Sequence, residues 1–249
     1  MRRASRRLIS LAGLLAALQT PISHGEIVID RTRVIYPAEA REVTVNLTNE
    51  TDGPRLVQAW IDAADSEASP ENSDVPFTLT QPIFRMEAGS ARALRILHHS
   101  AARPREKQES VYWLNVLAIR PTAEPYAQEN QVHLAFRTRI KLFLRPEGLP
   151  GRAQDAGEAL QWQLVSAEAS VLHVSNPSAY HVTLSSVTLI LNGVEYPSDD
   201  PPMIAPQAQM VVGLPRLPAD RGSDAALRFT TLDDQGSTQV HAAQLGRTQ

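Results

Sequence analysis

The chain of 249 residues contains no cysteine, which removes disulfide frameworks, thiol catalysis and thiolate metal sites together. Catalytic signatures are scarce as well. There is no Gly-x-Ser-x-Gly elbow, no glycine-rich phosphate cradle and no His-Glu-x-x-His pattern. His98 and His99 are the densest imidazole pair, but adjacent strand residues point to opposite faces, so they cannot share a metal and are expected at the surface. Asp233-Asp234 could be half of an acid pair, yet it precedes Gly236 in a turn, where Asp favours local backbone hydrogen bonds. Asn46-Leu47-Thr48 and Asn49-Glu50-Thr51 match a glycosylation pattern too short to carry weight. These gaps point away from an enzyme and from any cofactor or metal.

Internal repeats of about 20–50 residues, low-complexity tracts and heptads are also missing. The apolar run at residues 8–18 follows Arg2, Arg3, Arg6 and Arg7 and precedes Pro21, Ser23 and Gly25. A charged start, a short apolar middle and small residues before the break predict a secretory signal over residues 1–25. That run is too short to span a bilayer as a helix, so no stable membrane insertion is expected. Cleavage removes four of the 24 basic residues and none of the 27 acidic ones, leaving a formal charge of −7 on 224 residues. Such an acidic balance argues against nucleic acid as a partner. The remaining length suffices for two ordinary domains, each folding on its core alone.

What is present is punctuated β-structure. Eighteen Pro and twelve Gly separate short runs rich in Val, Ile, Leu and Thr. Strands are predicted at 27–35, 42–47, 56–62, 77–86, 91–98, 111–119 and 132–144, the number an immunoglobulin-like sandwich uses. Residues 145–151, with two Pro and two Gly, read as a hinge. Beyond it, strands are predicted at 160–165, 171–175, 181–191, 194–196, 209–214, 225–232 and 239–243, with Asn192-Gly193 as a hairpin turn. The chain therefore divides into a signal (1–25), an N-terminal sandwich (26–146) and a C-terminal sandwich (147–249). The fold class is all-β, an immunoglobulin-like sandwich followed by a second β-sandwich.

The stretch 131–146 stands out. Val132, Leu134, Phe136, Ile140, Leu142 and Leu144 recur at period two, interrupted only by Thr138, while Arg137, Arg139 and Lys141 occupy the other face. At roughly 3.3 Å per residue the alternation extends on the order of 45 Å, more than twice an ordinary strand. Two readings stay open: a central strand with solvated cations on one side, or an exposed sheet edge that recruits a strand from another chain. No Pro blunts residues 131–145.

The ordered set of segments resembles the periplasmic chaperones of chaperone–usher pilus assembly, the PapD-like family. The segments are Asp30-Arg31-Thr32-Arg33-Val34-Ile35, Gln58-Ala59-Trp60, and Gln81-Pro82-Ile83-Phe84-Arg85-Met86-Glu87-Ala88-Gly89. They continue with Glu109-Ser110-Val111-Tyr112-Trp113-Leu114-Asn115-Val116, Arg139-Ile140-Lys141-Leu142-Phe143-Leu144-Arg145-Pro146 and Ser175-Asn176-Pro177-Ser178-Ala179-Tyr180-His181-Val182. The match covers most of residues 26–182, and beyond Val182 it is topological.

The resemblance implies that both domains are immunoglobulin-like and set at an angle around a cleft, and it implies a set of roles. Arg33 and Lys141 are similar to the pair that anchors the C-terminal carboxylate of a pilus subunit. Val132, Leu134, Phe136 and Ile140 match hydrophobes lent to the subunit as its missing strand. Glu109, Arg145 and Asp234 resemble an interdomain ion network, with Asp233 as the alternative partner. Implied partners are pilus subunits and an outer-membrane usher, with self-association of the free protein, and the implied location is the periplasm. The family's Glu-Pro-Gly turn is Glu87-Ala88-Gly89 here, and the short cysteine-free connection 121–130 resembles the branch that serves rod-like pili. The rival expectation is a secreted two-domain β-sandwich acting as an adhesive or ligand-binding module.

Overall fold

A computed structural model describes residues 26–63, 75–99, 107–121, 134–165, 170–218 and 225–245. The expected signal at 1–25 and Val132 lie outside these residues.

The first half forms nine strands: β1 (Ile27–Ile29), β2 (Arg33–Pro37), β3 (Glu42–Asn49), β4 (Arg55–Asp62), β5 (Phe77–Leu79), β6 (Ile83–Met86), β7 (Ala91–His98), β8 (Ser110–Ile119) and β9 (Ala135–Arg145). They make two facing sheets, β1-β3-β7-β5 and β2-β9-β8-β4-β6. Alternation builds the core between them: Val45, Leu47, Leu94 and Ile96 from one sheet meet Val57, Leu114, Val116 and Leu142 from the other. This is an immunoglobulin-like sandwich.

Two predicted strands turn out to be two strands each. The run 27–35 breaks at Asp30 to Thr32 and passes from the first sheet to the second as β1 and β2. Likewise 77–86 breaks at Thr80 to Pro82, where Pro82 has no amide to give a ladder. Hydropathy along the chain does not distinguish a straight strand from one that changes sheets, because both halves bury apolar residues. His98 also departs from expectation. Its ring is half-buried against Tyr36 and Phe77, at centroid distances of 5.9 and 5.3 Å, and burial lowers its pKa. His99 on the opposite side is exposed.

The second half forms β10 (Gln161–Val165), β11 (Val171–Ser175), β12 (Val182–Leu191), β13 (Val194–Pro197), β14 (Met203–Ile204), β15 (Gln209–Gly213), β16 (Ala225–Leu232) and β17 (Thr238–Gln244). Its sheets are β10-β11-β15 and β13-β12-β16-β17, with β14 added beside β12. The β12–β13 hairpin closes through Asn192 and Gly193, at φ of 51° and 79°, the left-handed pair that a two-residue turn demands. The core gathers Trp162, Leu172, Val187, Leu189, Leu227 and Phe229.

One buried asparagine braces a corner in each sandwich. Asn49 Nδ2 donates to the carbonyls of Gly53, Met86 and Glu87, while its Oδ1 accepts from the Thr51 amide and hydroxyl. Asn176 repeats this with the carbonyls of Tyr180, Ile204 and Ala205 and with the amide and hydroxyl of Ser178. Both side chains are fully buried, so the match at Asn49 is a corner brace with no access for a glycan.

Candidate functional site

The two sandwiches meet across a cleft of about 660 Å³ whose walls include Arg33, Phe143 and Arg145 from the first and Tyr180, His181 and Asp234 from the second. Strand pairing places the cations. β2 runs parallel to β9 with Arg33 opposite Lys141, so both side chains leave the same face of adjacent strands. Arg33 is only 7% exposed. Its Nη1 donates to the Leu232 carbonyl at 3.2 Å, and its Nε is buried without a hydrogen-bond partner. Lys141 Nζ donates to Thr183 Oγ1 at 3.4 Å and lies 5.6 Å from the Trp113 ring centroid.

Among the described residues no carboxylate forms an ion pair with either cation. Burial, and then the neighbouring Arg33 charge, pulls the Lys141 pKa down to about 8. A guanidinium fork and an ammonium on adjacent strands are groups of the kind that can bind a carboxylate.

Toward the hinge, the same strand ties the domains together. Arg145 Nη1 and Nη2 donate to both oxygens of Asp234 at 2.7 and 2.8 Å, and its Nε donates to Glu109 Oε1 at 2.8 Å. Burial opposes the Arg145 charge, but Asp234 and Glu109 outweigh it and raise its pKa above the ordinary value. The structure thus brings Glu109, Arg145 and Asp234 together. Asp233 is engaged within its own turn, where Oδ1 accepts from the amides of Gln235 and Ser237.

Sequence reading missed the second ligand of Glu109. Its Oε2 accepts from the His181 amide at 2.9 Å and lies 3.1 Å from His181 Nδ1, while the His181 ring packs 5.5 Å from Phe143. The Glu109 amide also donates to the Ala179 carbonyl at 2.9 Å. Gly236, at φ +83°, touches Thr32 of the first domain, and any Cβ there would collide with the Thr32 hydroxyl.

The stretch at 134–145 combines the two readings left open by its sequence. β8 pairs with the whole of β9, from Ile119 opposite Ala135 to Ser110 opposite Leu144. β2 covers only Lys141 to Arg145. Among the described residues no strand covers the other side of 135–140, which form an edge, whereas 141–145 lie between β2 and β8. Leu134 and Phe136 are 64% and 52% exposed beside that edge. Ile140, expected among the lent side chains, is instead 8% exposed in the domain's own core. The reason is positional: at Ile140 the apolar face passes under the sandwich, next to where β2 begins.

Fold and site together define a two-domain immunoglobulin-like protein with a strand edge that no described strand covers, beside an interdomain cleft whose lining includes Arg33 and Arg145. The chain belongs to the PapD-like family of pilus assembly chaperones, which are not enzymes. The family model described as "Pili and flagellar-assembly chaperone, PapD N-terminal domain" matches residues 26–150, and "Pili assembly chaperone PapD, C-terminal domain" matches residues 155–243. The chain is 39% identical over 217 residues to the probable fimbrial chaperone YadV of Escherichia coli K12, covering 86% of this chain and 87% of that protein. It is 36% identical over 245 residues to the chaperone protein FimB/FhaD of Bordetella pertussis, covering 96% and 97%. The crystal structure of the YadV chaperone superposes with a TM-score of 0.77 at 36% identity, over 89% of this chain and all of that one. The SafB chaperone, solved in complex with the Salmonella enterica SafA pilin, gives 0.73 at 27% identity, covering 90% and 98%.

Proposed function

We propose that this protein is exported to the periplasm by cleavage after Gly25, where it captures pilus subunits and delivers them to an outer-membrane usher. The subunit's C-terminal carboxylate binds between Arg33 and Lys141. Residues 135–140 complete the subunit's open sandwich as an added strand, with Val132, Leu134 and Phe136 entering its groove. Exchange of this strand for an extension of the next subunit then requires no nucleotide. The connection 121–130, most of which lies outside the described residues, resembles in its shortness the branch that serves rod-like pili, which supports that pilus type.

One observation carries this reading: Lys141, whose partner across the β2–β9 register is Arg33, lies on the same strand as residues 135–140, an edge that no described strand covers, and no described carboxylate forms an ion pair with either cation. Pinning a terminal carboxylate at Lys141 fixes the register of everything bound along the edge, because backbone hydrogen bonds supply affinity and alternate side chains supply specificity. The relationship to SafB, whose structure contains a pilin, supports the subunit as partner.

The test is an affinity pull-down from periplasmic extract with tagged wild-type protein and Lys141→Ala in parallel. A small β-rich partner retained by wild type and lost by the variant is expected. Identical partners from both, or none, would sink the carboxylate anchor and favour a general binding module.

A further inference from the structure

Among the described residues, the backbone of 135–140 in β9 pairs with β8 alone, and Phe136 on its even face is 52% exposed. A strand supported on one side would fray unless something else restrained it. Its odd face carries that restraint. Asp62 on β4 and Asn115 on β8 are fully buried at positions within largely apolar strands.

Asn115 Nδ2 donates to Asp62 Oδ2 at 2.7 Å, and Asn115 Oδ1 accepts from Arg137 Nε at 2.9 Å and Nη2 at 2.7 Å. Arg139 Nη2 donates to Asp62 Oδ1 at 2.7 Å, and Arg137 Nη2 reaches Asp62 Oδ2 at 3.4 Å. The guanidinium of Arg137 lies 4.9 Å from the Trp60 ring centroid, and that of Arg139 lies 4.3 Å from Trp113. In register, Trp113 stands between Asp62 and Lys141, and Asn115 between Trp60 and Arg139. Each arginine on the half-supported segment is thus tied to strands one and two places away, across a tryptophan floor.

A carboxylate sealed from water persists only where its partners satisfy it, and apolar residues would serve mere packing as well or better. We propose that Asp62 and Asn115 are positioning residues that hold residues 135–140 straight and in register before a partner arrives, an inference that rests on the chaperone reading. A segment held this way before binding spares the complex that ordering entropy. Asp62 also offsets one of the two positive charges that Arg137 and Arg139 bring to this face.

Hydrogen-exchange mass spectrometry on the mature chain tests this, with wild type against Asp62→Asn and Asn115→Ala. Peptides covering 135–140 should exchange roughly tenfold faster in either variant, while β3 and β7 in the opposite sheet keep wild-type rates. Unchanged exchange at 135–140 would overturn the proposal, and so would equal acceleration in every strand, since that marks general stabilisation. If Asp62→Asn does not fold, the double variant Arg137→Gln with Arg139→Gln cuts the same ties from the surface side and carries the same expectation. A second arm uses the subunit recovered by wild type. Asp62→Asn should capture it roughly tenfold more slowly, whereas equal rates would refute the inference and leave the chaperone reading intact. Absence of any capture by wild type would refute that reading, with the exchange result still deciding whether the segment is held.

Discussion

The depressed pKa of Lys141 makes subunit capture titratable in a range where proteins remain folded. With a pKa of about 8, about 90% of Lys141 is protonated at pH 7 and about 10% at pH 9. Only the ammonium attracts a carboxylate, so Kd for a subunit should rise about tenfold between these values, while Arg33 stays charged throughout. Bound carboxylate restores the ammonium, so complex formation at pH 9 should take up close to one proton, read by calorimetry in buffers of different ionisation enthalpy. Lys141→Arg should abolish both effects.

Folding stability must move the opposite way. Between about pH 8 and the ordinary lysine value of 10.5, the unfolded chain holds a proton on Lys141 that the folded chain has released, so this group adds stability as pH rises through that window. The gain relative to Lys141→Arg is bounded by about 3 kcal/mol and reduced by the solvent that this half-buried group retains. Weakening capture with rising stability is a pairing that ordinary alkaline denaturation does not produce. A flat Kd from pH 7 to 9 in wild type would refute the reasoning.

Arg145→Ala leaves buried Glu109 facing only His181 and strips Asp234 of its cation. It should cost about 3 kcal/mol in chemical denaturation and separate the unfolding of the two domains in calorimetry. Gly236→Ala meets both an unfavourable positive φ and the Thr32 hydroxyl; a loss of roughly 1–2 kcal/mol is expected, partly relieved when combined with Thr32→Gly. Phe136→Ser removes an exposed side chain and should leave the unfolding midpoint within about 0.5 kcal/mol of wild type while weakening capture in the pull-down.

How much of this was legible depends on the kind of signal. The period-two run through residues 132–144 announced a long strand, and the Asn192-Gly193 turn announced a hairpin. Neither could say how far a neighbour extends, so the alternation treated Phe136 and Ile140 alike although one is bare and the other is core. Asp233 and Asp234 were indistinguishable by composition, and turn geometry assigns one inward and the other to Arg145. Asp62, Asn115 and His181 had only a faint mark, a polar residue set within or beside an apolar strand. Their significance arises from partners roughly 25–75 positions away, which spacing alone does not encode.

The sheet change at Asp30 to Thr32 has a consequence for that open edge. In the β2–β9 register Arg33 faces Lys141, so a chain continuing straight backwards would set Ile27 opposite Ala135. Instead Ile27 pairs with Asn49 in the other sheet. The molecule owns a segment that could cover this edge and routes it elsewhere, and the diversion passes Thr32, which lies close to Gly236 of the second domain. The first domain's sheet is thus left short of a strand at the point where the chain passes close to the second domain.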